Sequence, residues 1–202
     1  MKHLNRHHST GDWDFDSVNW KLDSAVYVSA PSSLCVNPPA GTTWTTTCWV
    51  KTSTVPIANV KEGRVITYYY ISSYASGRKF RVLLRYQDVN NYYYVQFYQA
   101  NATTVTVSIV QRKAGVETVL WSGNVSLANG TWHRIRVTWW NDSVGIVLRA
   151  EYWDGATWTL IQDAYDSENL WKNIGGRVGA TLTAYNNSKT NLDDTEIYGI
   201  PP

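Results

Sequence analysis

Turn-forming residues punctuate this chain about every eight to twelve positions, and the side chains between them alternate apolar and polar. Asn90-Asn91, Gly130, Asp154-Gly155 and Gly175-Gly176 are examples of the breaks. This rhythm leaves room for short strands and almost none for helices, so it predicts an all-β, two-sheet antiparallel sandwich. Strands are expected over 25–29, 44–51, 64–71, 79–87, 92–99, 104–112, 116–121, 131–140, 144–153, 157–163, 176–183 and 191–198. One helical turn is expected over 166–172, where Asp166 or Ser167 can cap and Glu168 comes next. Composition agrees: only 17% of residues are charged, while 14 Tyr and 11 Trp favour a pleated, half-buried surface. A chain of 202 residues suits one such domain. The start, with His3, His7 and His8, is polar and reads as a leader or an expression remnant. Residues 1–10 are therefore set apart from a single domain over 11–200. Pro201-Pro202 suggests a linker to a longer multidomain chain or assembly.

Several partners are disfavoured at once. A net charge of +2 gives no field that would gather nucleic acid. No apolar run approaches the roughly 20 residues that span a bilayer.

Alternation assigns side chains to faces. In 79–87, Phe80, Val82, Leu84 and Tyr86 share one side, with Arg81, Leu83, Arg85 and Gln87 opposite. In 92–99, Tyr93, Val95 and Phe97 read as core, leaving Tyr92, Tyr94, Gln96 and Tyr98 outside. In 131–140, His133, Ile135, Val137 and Trp139 alternate with Trp132, Arg134, Arg136, Thr138 and Trp140. Were these outer faces to align on one sheet, Arg81, Arg85, Tyr92, Tyr94, Gln96, Tyr98, Arg134, Arg136 and Trp140 would form one aromatic, basic and amide-bearing surface. Sugars suit it, because C–H patches stack on rings while hydroxyls take directed hydrogen bonds. The arginines tilt the expectation towards acidic or sulfated glycans. Solvation of the outer face with ring contacts across strands is the plainer alternative. Trp153 and Trp158, flanking Asp154-Gly155, either grip a ligand or clamp the hairpin.

The run Gly130-Thr131-Trp132-His133-Arg134-Ile135-Arg136-Val137, then Gly175-Gly176-Arg177-Val178-Gly179, then Leu192-Asp193-Asp194-Thr195-Glu196-Ile197-Tyr198 resembles the C-terminal half of concanavalin A-like lectin/glucanase sandwiches. Laminin G-like and related glycan-binding jelly rolls belong to that group. Leu84-Arg85-Tyr86-Gln87-Asp88-Val89-Asn90-Asn91-Tyr92-Tyr93 looks like its matching hairpin. The resemblance covers most of 12–200 and implies a fold; lectins, glycosidases, lyases and structural modules all share it. It also implies that first and last strands lie together and share a structural Ca²⁺. Asp12, Asp14 and Asp16 near the start and Asp193, Asp194 and Glu196 near the end then become candidate ligands, with Asp14, Asp16 and Asp194 preferred. Ordinary surface acids at strand ends are the alternative.

Catalysis has thin support. The Glu-x-Asp-x-x-Glu run of the glucanase branch and the Gln-Ile-His motif of the alginate-lyase branch are both absent. Arg81, Arg85, Gln96 and Tyr94 could imitate a lyase, but His133, the one histidine inside the domain, alternates towards the core. Cys35 and Cys48 are expected to form a disulfide closing a short loop, against the alternative of two buried thiols. Five sequons, at Asn101, Asn124, Asn129, Asn141 and Asn186, add to an extracellular or cell-surface reading. The expectation is a non-catalytic, lectin-like carbohydrate-binding module with a polysaccharide or glycoconjugate partner. Its rivals are a structural surface or filament subunit and a polysaccharide lyase or glycoside hydrolase.

Overall fold

The computed structural model describes residues 2–7, 13–15, 20–25, 27–28, 33–50, 60–73, 78–143, 145–168 and 174–200. They form a two-layer β-sandwich in which every named strand pair is antiparallel. The strands are β1 (Lys2–His7), β2 (Trp13–Phe15), β3 (Lys21–Asp23), β4 (Ser33–Val36), β5 (Thr43–Val50), β6 (Glu62–Ile71), β7 (Lys79–Asp88) and β8 (Asn91–Gln99). They continue as β9 (Thr104–Lys113), β10 (Val116–Ser126), β11 (Trp132–Asn141), β12 (Ile146–Trp153), β13 (Trp158–Asp166), β14 (Arg177–Tyr185) and β15 (Thr190–Ile200). One sheet has eight strands, ordered β13-β12-β11-β6-β15-β4-β3, with β1 beside β15. The other has seven, ordered β10-β9-β8-β7-β14-β5-β2.

The central strands fall where turn signals and alternation put them. The ends do not. Of the strand expected over 25–29, the described Ala25, Tyr27 and Val28 lie in none, with β3 and β4 on either side, and β10 runs on to Ser126. Of the expected helical turn, Asp166 ends β13 and Ser167–Glu168 form a turn; 169–172 lie outside the described residues. Residues 2–7 form β1, with His3 opposite Tyr198 and His7 opposite Thr195.

The core is the meeting of two alternating faces. Val65, Tyr69, Ile135, Val137, Trp139 and Leu148 come from the eight-stranded sheet; Phe80, Val82, Leu84, Val95, Phe97 and Val107 come from the seven-stranded one. Each buried aliphatic or Phe side chain contributes roughly 1.5–3 kcal/mol. Tyr69 stacks on Phe80 at 5.4 Å and meets Phe97 at 5.3 Å, joining the layers. Trp139 is fully buried because Gly63 makes room: a Cβ there would stand 2.6 Å from its ring.

Cys35 and Cys48 are not joined by a disulfide, which corrects the expected bridge. They sit on β4 and β5, in different sheets, and the Cys48 thiol faces the Ala180 carbonyl at 3.5 Å. Both are packed as small apolar side chains.

Candidate functional site

On the outer face of the seven-stranded sheet, register lines side chains into rows that cross the strands. Thr47, Thr181, Arg81, Gln96, Ser108 and Ser122 stand opposite one another in sequence across β5, β14, β7, β8, β9 and β10. Neighbouring members bond in pairs: Thr47 with Thr181 at 3.3 Å, Arg81 Nε donating to Gln96 Oε1 at 2.9 Å, and Ser108 with Ser122 at 2.9 Å. One step along the strands the row is Trp49, Gly179, Leu83, Tyr94, Val110 and Val119, almost wholly apolar. Leu83, Tyr94 and Val110 form a small apolar cluster separate from the main core, with Trp49 and Tyr92 packed against it.

Where this apolar row meets the β7–β8 end, a groove of about 210 Å³ opens. Its lining is Thr47, Trp49, Leu83, Tyr86, Val89, Tyr92 and Thr181. The rings form a continuous wall: Trp49 to Tyr86 is 4.1 Å between centroids, Tyr86 to Tyr92 is 5.5 Å, and Tyr92 to Tyr94 is 6.0 Å. Trp49 reaches this position because its ring lies over Gly179, where a Cβ would come within 2.5 Å. Guanidinium groups edge the wall, Arg177 at 5.2 Å over Trp49, Arg112 at 6.0 Å over Tyr92, and Arg81 at 4.4 Å over Tyr94. Burial raises the Tyr94 phenol to about 12, with Arg81 opposing, so it remains neutral.

Of the side chains expected on one surface, Arg81, Tyr92, Tyr94, Gln96 and Tyr98 are brought together here. Arg85 is not. It is fully buried, at a positive φ of 49°, in a bulge that breaks the β7–β8 register after Leu84. A bulge inserts one residue and reverses the facing of the strand beyond it. Arg85 therefore turns inward and Tyr86, expected in the core, turns out onto the groove wall. Gly176 permits the bulge, since a Cβ there would be 2.3 Å from the Arg85 backbone. Inside, Arg85 donates to the Lys61 carbonyl and, at 2.8 Å, to Asn141 Oδ1. Asn141 in turn donates from N and Nδ2 to Glu62 at 3.2 Å. Nearby, buried Asp166 accepts from the Tyr93 hydroxyl and from Gln111 at 2.7 Å. Burial brings Arg85 down to about 10. Among the sequons, Asn141 is thus committed to a structural contact.

Arg134, Arg136 and Trp140 lie on β11, in the other sheet, and face away from the groove. Proximity in sequence does not put them on the groove's sheet, because β11 pairs with β6 and β12. There Arg136 makes a two-pronged ion pair with Glu151 and lies 4.5 Å over Trp158. Arg134 sits 5.4 Å over the same ring and 4.0 Å from Glu196, and Arg149, paired with Asp163 at 2.7 Å, covers Trp140. Trp153 and Trp158 meet edge to face at 5.5 Å across their hairpin.

His133 faces inward against Tyr69 at 5.4 Å, and Nε2 is 2.6 Å from the Ala128 carbonyl. A carbonyl only accepts, so Nε2 carries the proton; burial holds the ring's pKa below its ordinary value.

Among the described residues the expected calcium ligands are not brought together. Asp14 is on β2 in the seven-stranded sheet, Asp194 on β15 in the eight-stranded one, and Asp16 lies outside the described residues. Asp193 accepts from the Val28 and Asp194 amides, both at 2.7 Å. Among the described residues no three His, Cys, Asp or Glu side chains are grouped to hold a metal. Nor is any helix among them long and apolar enough to cross a membrane.

Trp49, Tyr86, Leu83, Thr47, Val89 and Thr181 join the site without having been expected there. In Thr43–Val50 both alternating sets contain Thr and Trp, so alternation could not choose the outward one.

No family model and no curated protein matches the chain. Solved structures match through fold. The carbohydrate-binding module CBM66 from Bacillus subtilis is 12% identical with a TM-score of 0.60, covering 93% of this chain and 96% of that one. The VIP36 exoplasmic/lumenal domain, in its Ca²⁺/Man3GlcNAc-bound form, is 10% identical with a TM-score of 0.65, covering 100% and 92%. A legume lectin-like domain from Entamoeba histolytica is 11% identical with a TM-score of 0.64, covering 95% and 91%. A GH43 protein from Bacillus licheniformis matches over 96% of this chain but only 38% of its own, at 13% identity and a TM-score of 0.59. The fold is accordingly the concanavalin A-like sandwich that the sequence resembles.

Proposed function

We propose that this chain is a non-catalytic carbohydrate-binding module whose polysaccharide or glycoconjugate ligand occupies the groove beside Trp49, Tyr86 and Tyr92. The carrying observation is the pairing of that ring wall with the transverse hydroxyl and amide row, from Thr47 to Ser122. A glycan chain has the same division, with C–H faces for the rings and hydroxyls for the row. At about 4.8 Å per strand, the row is long enough for several sugar rings laid across the sheet. The described lining carries no carboxylate, so two carboxyls flanking a glycosidic bond are not provided by these residues. Glycan-bound and carbohydrate-binding proteins among those sharing the fold support the reading. An extracellular or cell-surface setting goes with it; sequons Asn101, Asn124 and Asn186 are exposed.

Native affinity electrophoresis through neutral, uronate-rich and sulfated polysaccharides tests the proposal. Retardation with the polymer left intact is expected, and Trp49→Ala with Tyr86→Ala should weaken it by ~100-fold, since buried aromatic anchors contribute roughly 2 kcal/mol or more. Shortened polymer would replace binding with catalysis. An assembly role has one observation of its own: edge strand β10 exposes Val116 (67%) and Val119 (60%). Concentration-dependent oligomers on sizing, without retardation in any gel, would favour it.

A further inference from the structure

On β7, next to the groove, Lys79 and Arg81 point outward two residues apart. Like charges on adjacent outward positions repel, and a fold normally places a carboxylate between or beside them. Four other arginines over rings show that habit: Arg112 has Glu117, Arg136 has Glu151, Arg149 has Asp163 and Arg134 has Glu196. Among the described residues no carboxylate forms an ion pair with Lys79 or Arg81. The Lys79 ammonium is held below its ordinary pKa by burial first and by Arg81 second, with Glu117 pulling less strongly the other way.

The surroundings of the pair are set for an anion. Arg81 spends only its Nε–H, on Gln96, and its guanidinium plane is fixed over Tyr94 at 4.4 Å. Both Nη groups stay available in a preset fork, the geometry that matches carboxylate and sulfate. Thr181 and Thr183 stand opposite Arg81 and Lys79 on β14, and their hydroxyls, bonded to Thr47 and Thr45, extend the donor set. Across β8, Tyr98 is opposite Lys79.

We infer that Lys79 and Arg81 form an anion subsite, taking a carboxylate or sulfate group borne by the glycan whose sugar faces rest on the Trp49–Tyr86–Tyr92 wall. The inference rests on the groove reading and gives its ligand a class: an anionic polysaccharide. A uronate and a sulfate ester present the same oxygens, so matched polymers must separate them.

The test uses the whole chain and measures affinity for dextran sulfate against dextran, and for polygalacturonate against its carboxyl-reduced form. A single-stranded oligothymidylate is added, because rings with cations also suit that polymer. Wild type should prefer at least one charged member of a pair by tenfold or more. Lys79→Gln with Arg81→Gln should abolish the preference, retain binding to the neutral member and reduce the salt dependence. Lys113→Gln, which removes a positive charge at the far β9–β10 turn, should keep the preference; if it is lost there too, general charge attraction is responsible and the subsite is overturned. The charged pair that is preferred identifies the uronate or the sulfate. Equal affinity within both pairs, or a preference surviving in the double variant, overturns the subsite and leaves the groove. Undiminished binding in Trp49→Ala overturns the groove instead. Tighter capture of oligothymidylate, or retention by none of the polymers, overturns the assigned ligand class. Unchanged melting of the double variant confirms that binding, not folding, is read.

Discussion

The two outer faces of this sandwich are made from the same residue types and end in opposite states. On the eight-stranded sheet, Arg134, Arg136 and Arg149 lie over Trp158 and Trp140, and each also has a carboxylate. On that face these two rings are covered and these three charges paired. On the seven-stranded sheet, Trp49, Tyr86 and Tyr92 wall an open groove, and Lys79 and Arg81 have no carboxylate ion-pair partner among the described residues. Composition alone would call both faces aromatic and basic. Pairing is what distinguishes an armoured face from a receptive one.

The largest expected effect breaks the closed face. Glu151 is 6% exposed and binds Arg136 through two N–H groups. Glu151→Ala leaves a half-buried guanidinium without its partner. We expect a loss of about 2–4 kcal/mol in urea unfolding, between the cost for a surface pair and that for a fully buried one. Polysaccharide affinity of the folded fraction should be unaltered. A change in affinity with little change in stability would mean the ligand sits on this face.

A smaller effect addresses the open face through its backbone. Gly179→Ala places a methyl 2.5 Å from the Trp49 ring and 2.6 Å from the Cys48 carbonyl. The ring must lift from β14, and a displaced stacking platform should weaken polysaccharide binding by ~10-fold, or about 1.4 kcal/mol. Tryptophan fluorescence would report the movement. Unaltered binding beside an altered spectrum would show that Trp49 is scenery rather than anchor.

The contrast between faces also marks how much is legible in the sequence. Core alternation in 92–99 and 131–140 is readable because one side is consistently apolar, and Tyr93, Val95, Phe97, Ile135, Val137 and Trp139 are all buried. Within the expected surface set, Arg81, Tyr92, Tyr94, Gln96 and Tyr98 do share one face. Arg85 escapes alternation because a bulge reverses facing without changing any residue type; its trace, Gly176, is distant in sequence and informative only once the strands are paired. Arg134, Arg136 and Trp140 escape for a different reason: local alternation specifies a face within a strand, while sheet membership depends on long-range pairing with β6. The two cysteines mislead similarly, being close along the chain and on opposite layers.

The smallest expected effect lies inside the closed sheet, where the same alternation that sends Trp132 and Arg134 outward points His133 at Tyr69. Burial lowers its pKa below the ordinary 6.5, and the Nε2–H contact to Ala128 is satisfied by the neutral ring. Above that ordinary value both the folded and the unfolded chain hold a neutral imidazole, and the group has no effect on the pH dependence. As pH falls below about 6.5 the unfolded chain takes up a proton that the folded chain resists, so stability declines through the depressed folded value. His133→Phe keeps a ring against Tyr69 and removes the proton site. Its melting temperature should therefore fall less than wild type's between about pH 7.5 and 5.5, with the open groove's affinity unmoved at the upper end of that range. An equal fall in both proteins would assign the acid sensitivity to groups other than His133, and so away from the core beneath the paired outer face.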